Sequence, residues 1–173
     1  MRVSVIVPTF KRTDCLRLCL DALEAQNYSV SEIFVTVHES DDETWSFFEK
    51  YKIPKLKVLK IDKTSQVASM NLALTQASGD IICFTDDDSE PYRDWVEKIV
   101  KHFEEDKLLG AIGGRDIVST QKAPEEFSKI VGVVTWYGRI IGKHDRGCGS
   151  AREVDHLKGV NMSYRKEAIE GLF

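Results

Sequence analysis

Ile81-Ile-Cys-Phe-Thr-Asp-Asp-Asp88 is the segment from which the fold can be read. Four apolar residues without polar alternation describe a strand covered on both faces, the signature of a parallel sheet. The run ends abruptly in three carboxylates. Like charges this close repel, and a buried strand mouth adds desolvation cost. A divalent cation removes that penalty, because Mg²⁺ and Mn²⁺ take oxygen ligands and commonly use one or two carboxylates with substrate phosphates. A solvated turn capping the next helix would be the alternative for an isolated Asp triplet.

The segments on either side repeat the pattern. Val3-Ser-Val-Ile-Val7 runs into Pro8-Thr9, Ile33-Phe-Val-Thr-Val37 into His38-Glu39, and Leu56-Lys-Val-Leu-Lys-Ile61 forms a third strand. Helical periodicity separates them: a helix opened by Thr13-Asp14 with Leu16, Leu20 and Leu23, a second over residues 41–51, and a third over 65–77. Pro91 is expected to open a fourth helix through Phe103. Gly79, between helix and strand, reads as a left-handed stop. Strands alternating with helices imply right-handed βαβ units and a mostly parallel sheet with helices on both faces. Ligands of such sheets bind beyond the carboxyl ends of the strands. Pro8-Thr9, His38-Glu39 and Asp86 to Asp88 therefore share one rim.

After Gly110 the periodicity weakens. Residues 109–118 read as a strand broken at Gly113-Gly114, 123–134 as a helix followed by an apolar stretch, 138–152 as a mobile Gly- and Arg-rich loop, 154–157 as a short strand, and 165–170 as the start of a helix.

The chain has 173 residues, 42% hydrophobic and 30% charged, with a net charge of −4. That length suits one domain and needs no disulfide or metal staple. The acidic balance argues against nucleic acid as a partner. No stretch is long enough to span a bilayer or serve as a signal-peptide core, so a cytoplasmic location is expected, with peripheral attachment at the inner face of the membrane left open. Cys15, Cys19, Cys83 and Cys148 form no CxxC pair and read as buried free thiols.

In family order, Val3-Ser-Val-Ile-Val-Pro-Thr-Phe-Lys-Arg12, Ala68-Ser-Met-Asn71 with Ala77-Ser-Gly-Asp80, Ile81 to Asp88 with Pro91 and Trp95, and Gly159-Val-Asn-Met-Ser-Tyr-Arg165 resemble the family 2 glycosyltransferases. The resemblance implies the GT-A fold, a Rossmann-like three-layer α/β sandwich. It implies one catalytic domain, with a nucleotide-binding half at 1–105 and an acceptor-side half at 106–173. It further implies inverting transfer of a sugar from a nucleotide-diphosphate donor to an acceptor hydroxyl. A UDP-sugar is the first expectation, with GDP- or dTDP-sugars as alternatives; the acceptor is a glycan, a lipid-linked sugar or a small molecule.

By the same resemblance, Pro8, Thr9, Arg12, Glu39, Asn71, Asp86 and Asp87 hold the nucleotide, and Asp86 and Asp88 hold Mn²⁺ or Mg²⁺. Asn161 and Arg165 lie on the acceptor side. Two departures stand out. Where relatives carry Asp-Asp-Gly-Ser, this chain has Val37-His-Glu-Ser40, so Glu39 or His38 takes the place of the base-reading Asp. The general-base carboxylate expected beyond the segment matching Gly159 to Arg165 is missing, and Asp116 and Asp155 are the remaining candidates. The chain is accordingly read as incomplete at its C-terminal end, with exposed apolar surface that could support a homodimer. A nucleotidyltransferase and a non-catalytic nucleotide-sugar-binding module are the competing functions.

Overall fold

The computed structural model describes residues 1–118 and 126–169. In chain order these form β1 (Val3–Thr9), α1 (Thr13–Glu24), β2 (Glu32–His38), α2 (Asp42–Lys50), β3 (Leu56–Ile61), α3 (Gln66–Leu74), β4 (Ile81–Phe84), α4 (Trp95–Glu105), β5 (Ala111–Gly113), β6 (Val133–Val134), β7 (Ile140–Ile141), β8 (Met162–Arg165) and α5 (Lys166–Ile169). The main sheet has the order β3-β2-β1-β4-β8-β5. Strands β1 to β4 are parallel, and β8 inserts antiparallel between β4 and β5.

Strands β1, β2 and β4 are buried on both faces because they feed two cores. Val3, Val5 and Val7 with Ile33, Val35 and Val37 face α1, α2 and α4, whose Leu16, Leu20, Phe48, Val100 and Phe103 complete that layer. Ile6, Phe34, Ile82 and Phe84 face the other way, against Met70, Ala73 and Ala77 around α3 and Ile169 of α5. Each fully buried Ile, Leu or Phe contributes about 1.5–3 kcal/mol. The expected three-layer α/β arrangement is thus present.

Several local expectations differ. Helix α4 starts at Trp95, four residues after Pro91, with Asp94 at its N-cap position. At α1, Thr13 supplies no cap; its hydroxyl donates to Glu43 instead, at 2.6 Å. No helix occupies residues 126–134, where only β6 forms, and residues 123–125 lie outside the described part. No strand forms at 154–157. The segment 138–152 contains β7 and a 3₁₀ turn at His144–Arg146 rather than only irregular loop. Gly79 does not have positive φ. Its requirement is spatial: a Cβ there would lie 2.6 Å from Ser4 Oγ and 2.7 Å from the Ser4 nitrogen. All four cysteines are free, but Cys15 is exposed, so only Cys19 and Cys83 are the expected buried thiols. Among the described residues no helix is long and apolar enough to cross a membrane.

A buried carboxylate missed by sequence reading lies at the amino ends of β1 and β2, the opposite end of the strands from the aspartates. Glu32 accepts from Ser4 at 3.0 Å, from the Ser78 hydroxyl at 2.6 Å and from Lys57 at 2.7 Å. Burial alone would raise its pKa, but these donors outweigh burial and hold it at about 2.

Candidate functional site

The carboxyl ends of β1 to β4 open onto one rim. There, β1 ends in Pro8-Thr9 and the chain turns through Phe10, Lys11 and Arg12. Lys11 adopts a left-handed backbone, φ 54°, which is costly for a residue with a Cβ. Its N–H donates to Asp41 Oδ2 at 2.6 Å. Asp41 is fully buried and also caps α2, accepting from the Thr44 N–H at 3.2 Å and the Thr44 hydroxyl at 2.8 Å. The loop that carries Arg12 is therefore fastened to the neighbouring helix.

The three aspartates beyond β4 have three different environments. Asp87 points inward with no exposure; it accepts from the Thr9 hydroxyl at 2.6 Å and pairs with Arg12 Nη2 at 2.6 Å. Asp88 is half exposed and pairs with Arg12 Nη1 at 2.8 Å. Asp86 accepts from Gln66 Nε2 at 3.1 Å. Burial raises the pKa of Asp86, and Asp88 and Asp87 raise it further; Arg12 and Gln66 offset only part of this. Burial likewise raises Asp87, against the opposing effects of Thr9 and Arg12.

A cleft of about 370 Å³ lies between this loop and the start of α3, lined by Pro8, Thr9, Arg12, Asp86 and Asp88 with Phe10, His38, Lys63, Ser65 and Gln66. The His38 ring is held by Ser40 Oγ at 2.8 Å and the Asp62 carbonyl at 3.1 Å, and meets Phe10 edge-on at 5.8 Å. The cleft lining thus combines an aromatic pair with aspartates and a guanidinium.

The remaining expected site residues divide. Glu39 follows β2 on the rim but pairs with Lys60 at 3.6 Å and does not line the cleft, whereas His38 does. Asn71 sits farther along α3 and does not line the cleft; its buried Oδ1 has no partner among the described residues. Asn161 immediately precedes β8 on the rim and accepts from Trp95 Nε1 at 3.0 Å. Arg165 does not join them. It closes the other end of β8, opposite Ile81, and donates to the carbonyls of Leu109, Phe103 and Asp106. Asp116 is nearly buried and pairs with Lys158 at 2.9 Å. Asp155 accepts from the Val134 N–H at 2.7 Å.

Sequence reading missed Asp41, Phe10, Lys63 and Gln66. The three lining residues follow β1 and β3, so strand-end position alone was the available signal; Asp41 is visible only once its cap and the Lys11 N–H are both known. Of the tryptophans, Trp45 and Trp95 pack against the core, while Trp136 is 96% exposed.

The family model described as Glycosyl transferase family 2 matches residues 4–173. The chain belongs to that family. Among curated relatives of this family 2 glycosyltransferase, the poly(ribitol-phosphate) beta-N-acetylglucosaminyltransferase TarS of Staphylococcus aureus is 30% identical over 72% of the chain and 24% of its own length. The glucosyl-dolichyl phosphate glucuronosyltransferase of Haloferax volcanii is 25% identical over 98% of the chain and 54% of its own. Among solved structures, residues 1–349 of S. aureus TarS superpose with a TM-score of 0.69 at 24% identity, covering 98% of this chain and 48% of that one. The mannosyltransferase PcManGT from Pyrobaculum calidifontis, in complex with GDP-Man and Mn²⁺, gives 0.69 at 22%, covering 99% and 46%. The chain thus spans about half the length of these solved relatives, and the fold is that of the GT-A glycosyltransferases.

Proposed function

We propose that this family 2 glycosyltransferase binds a nucleoside diphosphate sugar in the cleft at the strand ends and takes part in inverting transfer of the sugar to an acceptor hydroxyl. The observation that carries it is the meeting of Asp86 and Asp88 with Thr9 and Arg12 around one cleft large enough for a nucleotide. TarS is known in complex with UDP-GlcNAc and the Pyrobaculum protein with GDP-Man and Mn²⁺. UDP-sugars are the first donor class to test, then GDP- and dTDP-sugars.

Mn²⁺ or Mg²⁺ fits the residues present. Asp86 forms no ion pair among the described residues, its carboxylate accepting from the neutral Gln66 amide, and Asp86 and Asp88 offer the hard oxygen ligands these ions prefer. Among the described residues no three His, Cys, Asp or Glu side chains cluster as a complete metal site, so phosphate and water oxygens would fill the remaining positions. When bound, the cation stabilises charge on the departing diphosphate. The protein's own part is positional. Asp87 fixes Thr9 and Arg12, and Arg12 is placed to move from Asp88 to phosphate oxygens. Phe10 and His38 line the same cleft and would offer their rings to the base.

In the transfer itself the acceptor oxygen bonds to the anomeric carbon as the carbon–phosphate-oxygen bond breaks. The electron pair leaves with the diphosphate and the hydroxyl proton passes to a base. Asp116 and Asp155 are both engaged, with Lys158 and with a backbone N–H, which weakens their case for that role.

The test is product analysis with a panel of UDP-, GDP- and dTDP-sugars and hydroxyl acceptors in Mn²⁺. Release of nucleoside diphosphate with a glycosylated acceptor supports the proposal. Release of pyrophosphate would indicate a nucleotidyltransferase, and binding without turnover a nucleotide-sugar-binding module.

A further inference from the structure

A second cavity, of about 600 Å³, shares no lining residue with the cleft. One wall is the turn from Gly142 to Asp145; the other is the segment from His156 to Gly159 that leads into Asn161 and β8. The rings of His144 and His156 meet there edge to face, centroids 5.1 Å apart. Both line the cavity, and both Nε2 atoms are buried with no hydrogen-bond partner among the described residues. Buried polar nitrogens left unpaired are costly, typically 1–3 kcal/mol each, and ask for a ligand.

The charges around the two rings are uneven. Lys158 is matched by Asp116 at 2.9 Å, and Asp145 by Arg146 at 3.5 Å. Lys143, held at the cavity edge by a left-handed backbone of φ 51°, forms no ion pair among the described residues. The result is one uncompensated cation, a second that can be shared, and two imidazoles that can each donate. Several donors converging on one space suit a group with several acceptor oxygens.

We propose that this cavity is a subsite for a phosphate group carried by the acceptor. The proposal rests on the donor reading above, because it is the placement of the donor diphosphate in the Asp86–Asp88 cleft that leaves this cavity to the acceptor. Asn161, which accepts from Trp95, follows the cavity-lining segment His156 to Gly159 by two residues. The acceptor class is then a phosphorylated one, a phosphodiester polymer unit or a phosphate-linked lipid sugar, whose hydroxyl reaches the donor while its phosphate is held by His144, His156, Lys143 and Lys158.

The titration of the rings gives a direct signature. Burial lowers the His144 pKa, His156 and Lys158 lower it further, and Asp116 and Asp145 act in the opposite direction. A bound anion favours the imidazolium form and must raise it.

The experiment follows the imidazole nitrogens by NMR in EDTA while inorganic phosphate is added, then acetate, then, in a separate sample, UDP with Mn²⁺. Phosphate is expected to move both ring signals and raise the His144 midpoint by about 1 pH unit or more, with acetate weaker. His156→Gln and Lys158→Met, each checked for an unchanged melting profile, should each cut phosphate affinity at least tenfold. Glycerol phosphate should reproduce the response and glycerol should not. Rings that stay unmoved by phosphate while UDP with Mn²⁺ still perturbs the Thr9 amide overturn this proposal and leave the donor reading intact. Rings that respond to UDP with Mn²⁺ as they do to phosphate also overturn it, since the cavity would then take the donor. Responding rings with a silent Thr9 would overturn the donor reading and support the anion site itself.

Discussion

Thr9 donates its hydroxyl to the fully buried carboxylate of Asp87 across 2.6 Å, joining the end of β1 to the loop beyond β4. The central aspartate of the triplet does not line the cleft; it ties together Thr9 and Arg12, which do.

Replacing Thr9 with valine keeps the shape and removes that donor. A loss of about 1–3 kcal/mol in urea unfolding is expected, the usual cost of leaving a buried acceptor short of a partner. The sign of the pH dependence follows from Asp87, whose folded pKa is already raised by burial. Ionising it in the fold is a penalty present at neutral pH and relieved as pH falls toward the unfolded value. The deficit of Thr9→Val should therefore shrink on acidification. A deficit independent of pH would mean Asp87 is not the group affected.

Arg12 pairs with Asp88 at 2.8 Å. Arg12→Gln should bind Mn²⁺ alone several-fold more tightly, because a competing cation has gone, yet bind UDP with Mn²⁺ more weakly. Electron paramagnetic resonance of free Mn²⁺ measures the first and calorimetry the second. Unchanged Mn²⁺ affinity would show that the guanidinium does not compete at Asp88.

Gly79→Ala places a Cβ 2.6 Å from Ser4 Oγ and should lower stability by about 1–3 kcal/mol. Gly138→Ala meets nothing within 4 Å and carries only the strain of φ 84°; its cost should be about 1 kcal/mol. Thermal melting ranks the two, and equal midpoints would contradict the close approach at Gly79.

Glu32 is held at about 2 against a usual 4.5. A lowered folded pKa gives stability that is present above pH 4.5 and lost as pH falls through 2. The contribution is about 3 kcal/mol. Glu32→Gln should flatten the acid-unfolding curve in that window, and a curve of unchanged slope would contradict the network.

The sheet was legible because β1, β2 and β4 are short, β-branched and apolar, and because each ends in a polar pair on the same rim. The Asp triplet was legible because like charges at a buried strand mouth need an explanation. What the pattern could not supply was side-chain direction. It could not tell that Asp87 faces inward while Asp86 and Asp88 line the cleft, or that His38 rather than Glu39 faces it. Arg165 shares a motif with Asn161, yet the four residues of β8 carry it to the other end of the sheet. Residues 126–134 misled for a different reason: their backbone bonds to a distant segment, the Ser128 N–H donating to the Arg146 carbonyl at 2.8 Å and the Gly132 N–H to the Gly142 carbonyl at 2.9 Å, which local periodicity does not reveal.

The most direct measurement is calorimetric titration of UDP and GDP in Mn²⁺ and in EDTA, with Asp88→Ala and, as a control, Asp94→Ala, whose side chain pairs with Lys98 on the surface of α4. Binding in Mn²⁺ that is lost in EDTA, weakened strongly by Asp88→Ala and little by Asp94→Ala, is the expected result. Equal affinity in Mn²⁺ and EDTA, or equal effects of the two substitutions, would contradict a metal-assisted diphosphate site at Asp86 and Asp88.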